Sequence, residues 1–362
     1  MASCGGAATL PLVDPAGFDS EIDGKKVGLY TLSAGDLTMQ VTNFGGRVVS
    51  LFTPDRDGNM TDIVVGRSTL AEYAAPKGER FLGATVGPVA NRIGKASFTI
   101  GDVTYNTPVN DNGVNTLHGG LKGVDMLVWD VVSSSDNAIT LHLSLPDGFE
   151  GYPGNREIDM TYTLKDDNSF CVSFRATTDK TTHINLSHHS FFNLEGEGSG
   201  SVEKYIMTIN ASKLVPIDSL SIPTGELMDV EGTPFDFREA HLIGERIGAD
   251  HPQIVNARGY DHNWCIDRTD DTSMVEACTV YDPDNGRFLE VFTDQPGIQF
   301  YSGNFFDGSD SGKNGLPLGF RSSLALETQH YPDSPNQSAF PSTLLEPGQV
   351  YKHECVYRFS VK

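Results

Sequence analysis

The sequence predicts an all-β chain, a large antiparallel β-sandwich with few short helices. Three observations carry that reading. Gly 38 and Pro 19 stand beside Phe 20 and Tyr 12, a mixture of turn formers and strand formers. Ile139, Leu141, Leu143 and Leu145 alternate with Thr140, His142 and Ser144, the period of a strand with one buried face. Helical periodicity is sparse, and the expected helices are Leu70 to Tyr73 and Glu239 to Glu245.

Along the chain, residues 1–24 read as a flexible entry rich in Gly, Ala and Pro, and residues 25–362 as a single β-sandwich domain. Strands are expected at Leu37 to Thr42, Ile139 to Leu145, Arg156 to Leu164 and Tyr357 to Val361. Turn clusters separate them at Asp55 to Asn59, Pro146 to Gly148 and Asp282 to Gly286. No repeat, low-complexity tract or long linker divides the chain, which fits two packed sheets around one core.

Charge narrows the function. Lys+Arg 26 against Asp+Glu 48 gives a net charge of −22. Such a surface repels phosphate backbones and anionic lipid, so no nucleic-acid partner is expected. Mean hydropathy is −0.26, and no apolar run reaches the ~18 residues of a membrane helix. Cys4, Cys171, Cys265, Cys278 and Cys355 are odd in number and lack C-x-x-C spacing, which argues against a zinc knuckle, a redox pair or a disulfide framework. As the chain stands, the expected location is cytoplasmic. The start Ser3-Cys4-Gly5-Gly6 also resembles the end of a bacterial lipoprotein signal, which would make an envelope lipoprotein anchored through Cys4 if an upstream signal were removed.

Alternation sorts the candidate chemistry. In Ile184 to Leu194, one strand face collects Ile184, Leu186, His188, Ser190, Phe192 and Leu194, and belongs in the core. The other collects Asn185, Ser187, His189, Phe191 and Asn193, a polar row suited to a concave site. His189 is therefore the candidate for chemistry and His188 the core histidine. Because adjacent strand residues point apart, the two cannot chelate one metal. In Ser323 to Tyr331, Leu324 and Leu326 share one face, while Ala325, Glu327, Gln329 and Tyr331 share the other. Glu327 could serve there as a general base, although a solvated carboxylate is the commoner role. Asn91-Arg92 follows the Gly87-Pro88 turn, His118 precedes Gly119-Gly120, and Asp261 and Gln299 lie on strand-like segments. Each alone is weak, and a structural role is the default for each. No P-loop, H-E-x-x-H, G-x-S-x-G or strand-linked G-x-G-x-x-G is present.

Taken in order, the segments resemble the aldose 1-epimerase (galactose mutarotase) family from about Lys25 onward. They include Val41 to Gly46, Ala90-Asn91-Arg92-Ile93, Leu117-His118-Gly119-Gly120, Asp147 to Gly154, Asn185 to Leu194, Gly232 to Phe237, Asp261-His262-Asn263, Pro296 to Tyr301 and Leu326 to Gln329. Pro88, His188 and Phe191 depart from the residues common there (Arg, Asn and Tyr). The resemblance implies a mutarotase-type supersandwich and an isomerase of carbohydrate metabolism, interconverting the α and β anomers of free aldohexoses such as galactose and glucose. It implies Glu327 as general base and His189 as general acid. Asn91, Arg92, His118, Asp261 and Gln299 would hold the sugar, with no metal and no cofactor, in a monomer or homodimer. Competing readings are a glycoside hydrolase using Glu327 and Asp261, a non-catalytic sugar-binding module, and an epimerase of phosphorylated sugars. Acid–base work by this pair implies a bell-shaped pH profile, with Glu327 setting the acid limb and His189 the alkaline limb. The −22 charge is expected to raise the His189 pKa toward neutrality.

Overall fold

The structure, a computed structural model, describes residues 10–362. Cys4 and the lipoprotein reading attached to it lie outside the described residues. Three sheets make the body. A nine-stranded sheet runs in the order Asp130–Ser134, Ala138–Leu145, Arg156–Leu164, Ser169–Thr178, Tyr351–Val361, Arg287–Thr293, Val275–Tyr281, Ile206–Ile209 and His241–Leu242. A six-stranded sheet runs Phe191–Phe192, Leu324–Gln329, Gly297–Tyr301, Asp261–Cys265, Lys213–Val215 and Met228–Asp229. A four-stranded sheet pairs Leu29–Ala34, Leu37–Thr42, Arg47–Pro54 and Met60–Asp62. Every strand pairing within them is antiparallel.

The main core lies between the large sheets. Ile139, Leu141, Leu143 and Leu145 enter it from one, and Leu324, Leu326, Ile298 and Phe300 from another. Tyr357 crosses the gap, its hydroxyl donating to the Leu326 carbonyl at 2.8 Å. Cys171, Cys265, Cys278 and Cys355 are buried free thiols, and burial pushes Cys355 up to about 12. A thiol so raised is a poor nucleophile. Among the described residues no helix is long and apolar enough to cross a membrane.

Strand edges follow the alternation closely: Leu37–Thr42 and Arg156–Leu164 are strands end to end. The helix expected at Leu70 forms as Leu70–Ala74, where Glu72 folds back onto the Thr69 backbone N–H. The helix expected over 239–245 does not form. His241 and Leu242 pair instead with Met207 and Ile206, and a single 3₁₀ turn follows at Ile243–Glu245. An available strand edge outcompetes a short helix. A helix does form at Pro252–Ala257, opened by Pro252 and closed by Arg258 at φ 58°. Packing also starts ahead of Lys25: Phe18 is fully buried and Ser20–Ile22 pairs with Lys25–Val27.

One buried cation ties the loops above the six-stranded sheet. Arg47 is fully buried and donates to the carbonyls of Arg80 (2.8 Å), Leu82 (3.0 Å) and Asp125 (3.0 Å). The Asp125 carboxylate, also fully buried, takes Arg80 at 2.7 Å and approaches Arg47 at 3.4 Å. Arg47→Met keeps the volume but strands three carbonyls and weakens the compensation of a buried carboxylate. It should cost about 3 kcal/mol, read as a fall of about 1 M in the urea midpoint.

Candidate active site

Two neighbouring rungs of the six-stranded sheet form the floor of a cavity. One rung pairs Phe191 with Ala325, Ala325 with Tyr301, and Tyr301 with Asp261. The next pairs Glu327 with Gln299 and Gln299 with Asn263. Extending the Phe191–Ala325 register by two residues sets His189 opposite Glu327, and their Nε2 and Oε1 lie 3.3 Å apart. Because each pair sits on the same pleat face, all these side chains point one way. His188 points the other way, bonded to the Tyr162 hydroxyl (3.0 Å) and to Ser190 (2.7 Å) in the core.

Loops supply the walls. Glu79, Phe81, Asn91, Arg92, Leu117, His118 and Phe305 join the floor residues around about 470 Å³. Six of the seven residues singled out in the sequence line this cavity: Asn91, Arg92, His118, His189, Asp261 and Glu327. Gln299 does not. It lies beside Glu327 in the floor rung, donating to Asp261 Oδ1 at 2.8 Å, so it orients that carboxylate. Sequence reasoning missed Glu79, Phe81 and Phe305 because they sit in loops without periodicity. The aromatic surfaces are Phe81, 4.5 Å from the His118 ring, with Phe191, Tyr301 and Phe305; both tryptophans are buried elsewhere.

Asn91 and His118 clasp each other. The His118 N–H donates to the Asn91 carbonyl (2.9 Å), and the Asn91 N–H donates to His118 Nδ1 (3.0 Å). Both residues hold positive φ, 59° and 48°, a strained setting that the clasp maintains. Accepting at Nδ1 fixes the tautomer: the proton of neutral His118 is on Nε2. Burial and neighbouring cations hold His118 neutral by lowering its pKa well below 6.5. His118 thus offers an N–H donor. His118, His189 and Glu327 place ligand-type atoms within 4.8 Å of one another, yet this tautomer leaves His118 no Nε2 lone pair for a cation. The donor set therefore fits a hydroxyl-bearing ligand better than a metal ion.

Arg92 lies between carboxylates, with Nε 3.1 Å from Asp111 and Nη1 4.0 Å from Asp261. Asp111, an unforeseen partner, holds the edge of the guanidinium and leaves its far nitrogens to the cavity. Burial raises the Asp261 and Glu327 pKa values, Glu327 well above the ordinary 4.5. Burial likewise lowers His189 to about 3, because an enclosed imidazolium is poorly solvated. The expected rise of the His189 pKa is therefore reversed: local burial, not the net charge of the chain, sets its direction. Glu327 Oε2 and Gln299 Oε1 are also buried without hydrogen bonds. Orphaned polar atoms around a cavity mark where a polar ligand completes the network.

A family model described as aldose 1-epimerase matches residues 28–358. Galactose mutarotase of Sus scrofa is 40% identical over 92% of this chain and 94% of its own length. Aldose 1-epimerase of Escherichia coli K12 is 36% identical over 93% and 96%. Among solved structures, an aldose epimerase homologue from C. elegans superposes with a TM-score of 0.85 at 29% identity, covering 92% of this chain and 99% of that one. A galactose 1-epimerase from Lactobacillus acidophilus gives 0.81 at 28% identity, covering 95% and 97%. With the match running from the first sheet to the last strand, the chain belongs to the aldose 1-epimerase family.

Proposed function

We propose that the enzyme interconverts the α and β anomers of free aldohexoses, galactose and glucose among them, with Glu327 and His189 as its acid–base pair. The observation that carries this reading is the buried Glu327–His189 contact at 3.3 Å inside a cavity of unsatisfied polar groups. Ring opening removes the proton from the C1 hydroxyl and delivers one to the ring oxygen. Both oxygens are bonded to C1, so two groups this close can each reach one. Glu327 takes the hydroxyl proton as the C1–O5 bond breaks. The bonding pair goes to O5, which receives the His189 proton. Rotation about C1–C2 presents the other aldehyde face, and closure returns both protons. The pair holds one proton before and after, on His189 first and on Glu327 after opening.

His118 Nε2–H, Arg92 and the Asn91 side-chain amide supply donors, and Asp261 supplies an acceptor. Among the described lining residues, Glu79, Asp261 and Glu327 outnumber the one Arg or Lys, Arg92, which suits an uncharged sugar and disfavours a phosphorylated one. A hydrolase reading would assign acid and base to Glu327 and Asp261, whereas the group in contact with Glu327 is His189.

Glu327→Gln and His189→Asn should each lower kcat by about 10²–10⁴-fold in polarimetry on fresh α-galactose. The double variant should lose little more than either single one, because the residues act as a unit. His188→Asn should keep kcat and lose stability instead; full activity in Glu327→Gln would overturn the mechanism. Activity should also survive EDTA and dialysis, and restoration by an added metal after chelation would contradict it.

The pH profile follows from the one-proton pair, with His118, Arg92, Asp261 and Glu79 around it in the cavity and Arg47 acting on His189 from outside the lining. Raising the Glu327 pKa extends the one-proton form upward in pH, and lowering the His189 pKa extends it downward. The limbs belong to the pair as a whole. Turnover should therefore stay flat through pH 6.5, where an ordinary histidine titrates. A fall in kcat centred there would assign the proton to a more exposed imidazole.

A further inference from the structure

Of the carboxyl groups lining the cavity, Glu327 and Asp261 already have roles in the proposed chemistry. Glu79 does not. It lines both this cavity and a neighbouring trough of about 1000 Å³, as do Phe81, Leu117 and Phe305. Its Oε1 accepts the Phe81 N–H at 2.9 Å, and among the described residues Oε2 makes no hydrogen bond.

The backbone at Glu79 is held with unusual care for a surface loop. Its N–H donates to Asp310 Oδ2 at 2.9 Å, and its carbonyl accepts from Arg67 Nη2 at 3.1 Å. Arg67 and Asp310 form a two-point ion pair, at 2.6 and 2.7 Å. A Cβ at position 78 would stand 2.4 Å from Asp310 Oδ2, so Gly78 is what lets that carboxylate reach the loop. One ion pair thus grips Glu79 on both sides, and the Phe81 N–H grips its side chain. A group so preorganised loses little freedom when a ligand arrives.

We propose that Glu79 is a specificity-determining residue that hydrogen-bonds an aldose hydroxyl other than the reacting one at C1. This rests on the mutarotase reading and adds a contact to it. Burial raises the Glu79 pKa, and with only Oε1 engaged by the Phe81 N–H its Oε2 is left to accept from a hydroxyl. Its charge also acts on Glu327 and Tyr301, placing it within electrostatic reach of the floor.

The test is a substrate series: glucose and its 2-, 3-, 4- and 6-deoxy analogues, assayed for mutarotation and titrated for binding with wild type, Glu79→Gln and Glu79→Ala. A site built to bond a hydroxyl rejects the analogue that lacks it. Wild type should therefore discriminate against one deoxy sugar by about tenfold or more in kcat/KM. In Glu79→Ala the KM for glucose should rise by a similar factor, with kcat within about threefold, and discrimination at that one position should vanish. Glu79→Gln, which keeps an acceptor for the Phe81 N–H, should fall between. A uniform loss over the whole series, or discrimination unchanged, overturns the proposal. The binding titrations carry the same comparison without turnover, so a wild type that binds sugars but does not speed mutarotation counts against the functional reading alone.

Discussion

The candidate site is organised around the buried contact between Glu327 and His189. A carboxyl and an imidazole 3.3 Å apart, both buried, cannot each take the protonation state they would have in water. Burial penalises the carboxylate and the imidazolium alike, so the empty cavity favours the uncharged pair. Arg92 and a bound sugar's hydroxyl groups pull the other way, toward carboxylate and imidazolium. The two arrangements contain the same number of protons. An anomerisation that begins in one and passes through the other therefore needs no exchange with solvent during ring opening.

Holding such a pair requires a floor that does not shift. The register supplies it: Phe191, Ala325, Tyr301 and Asp261 share one rung, and Glu327 and Gln299 share the next. A one-residue slip in any of these strands would turn its functional side chain into the core and bring a core residue, such as Leu326, Phe300 or His262, into the cavity. The core prevents that slip, because Leu324, Leu326, Ile298 and Phe300 are packed on the opposite face. The loops are fixed by polar means instead. Arg47 collects three carbonyls, His118 and Asn91 clasp, and the Arg67–Asp310 pair grips Glu79. Apolar packing sets where Glu327 and His189 stand, and buried polar contacts set where the cavity walls stand.

That division explains what could be read beforehand. Period-2 alternation separates His189 from His188 and puts Glu327 opposite Leu326, because a strand has only two faces and the apolar one must be inside. The same argument delimits Leu37–Thr42 and Arg156–Leu164. It fails where geometry comes from long-range partners. Nothing near His241 says that Met207 is its neighbour, so residues 239–245 read as a helix. Nothing near Gly78 names Asp310, and Glu79 therefore passes unnoticed in a loop with no period. Gln299 is a partial case: alternation identifies its face, but only the folded structure shows that its amide is engaged by Asp261. The packed N-terminal stretch at Phe18 escaped for the same reason, since its partners lie in other elements.

The acid–base assignment shows which electrostatic scale governs. A net charge of −22 suggests a field that keeps histidines protonated. Two charges about 10 Å apart in water interact by about 0.4 kcal/mol, and physiological salt screens beyond about 8 Å. Moving His189 from 6.5 to about 3 corresponds to several kcal/mol in the opposite direction, from burial. Desolvation at the site therefore outweighs the diffuse surface charge, and local groups decide the proton's place. The nearby groups are few: Arg92 favours the carboxylate of Glu327, Asp261 and Glu79 oppose it, and neutral His118 donates without adding charge. The same balance of burial and local charge that shifts Glu327 and His189 in opposite directions underlies the proposal that the cavity takes an uncharged, hydroxyl-rich ligand.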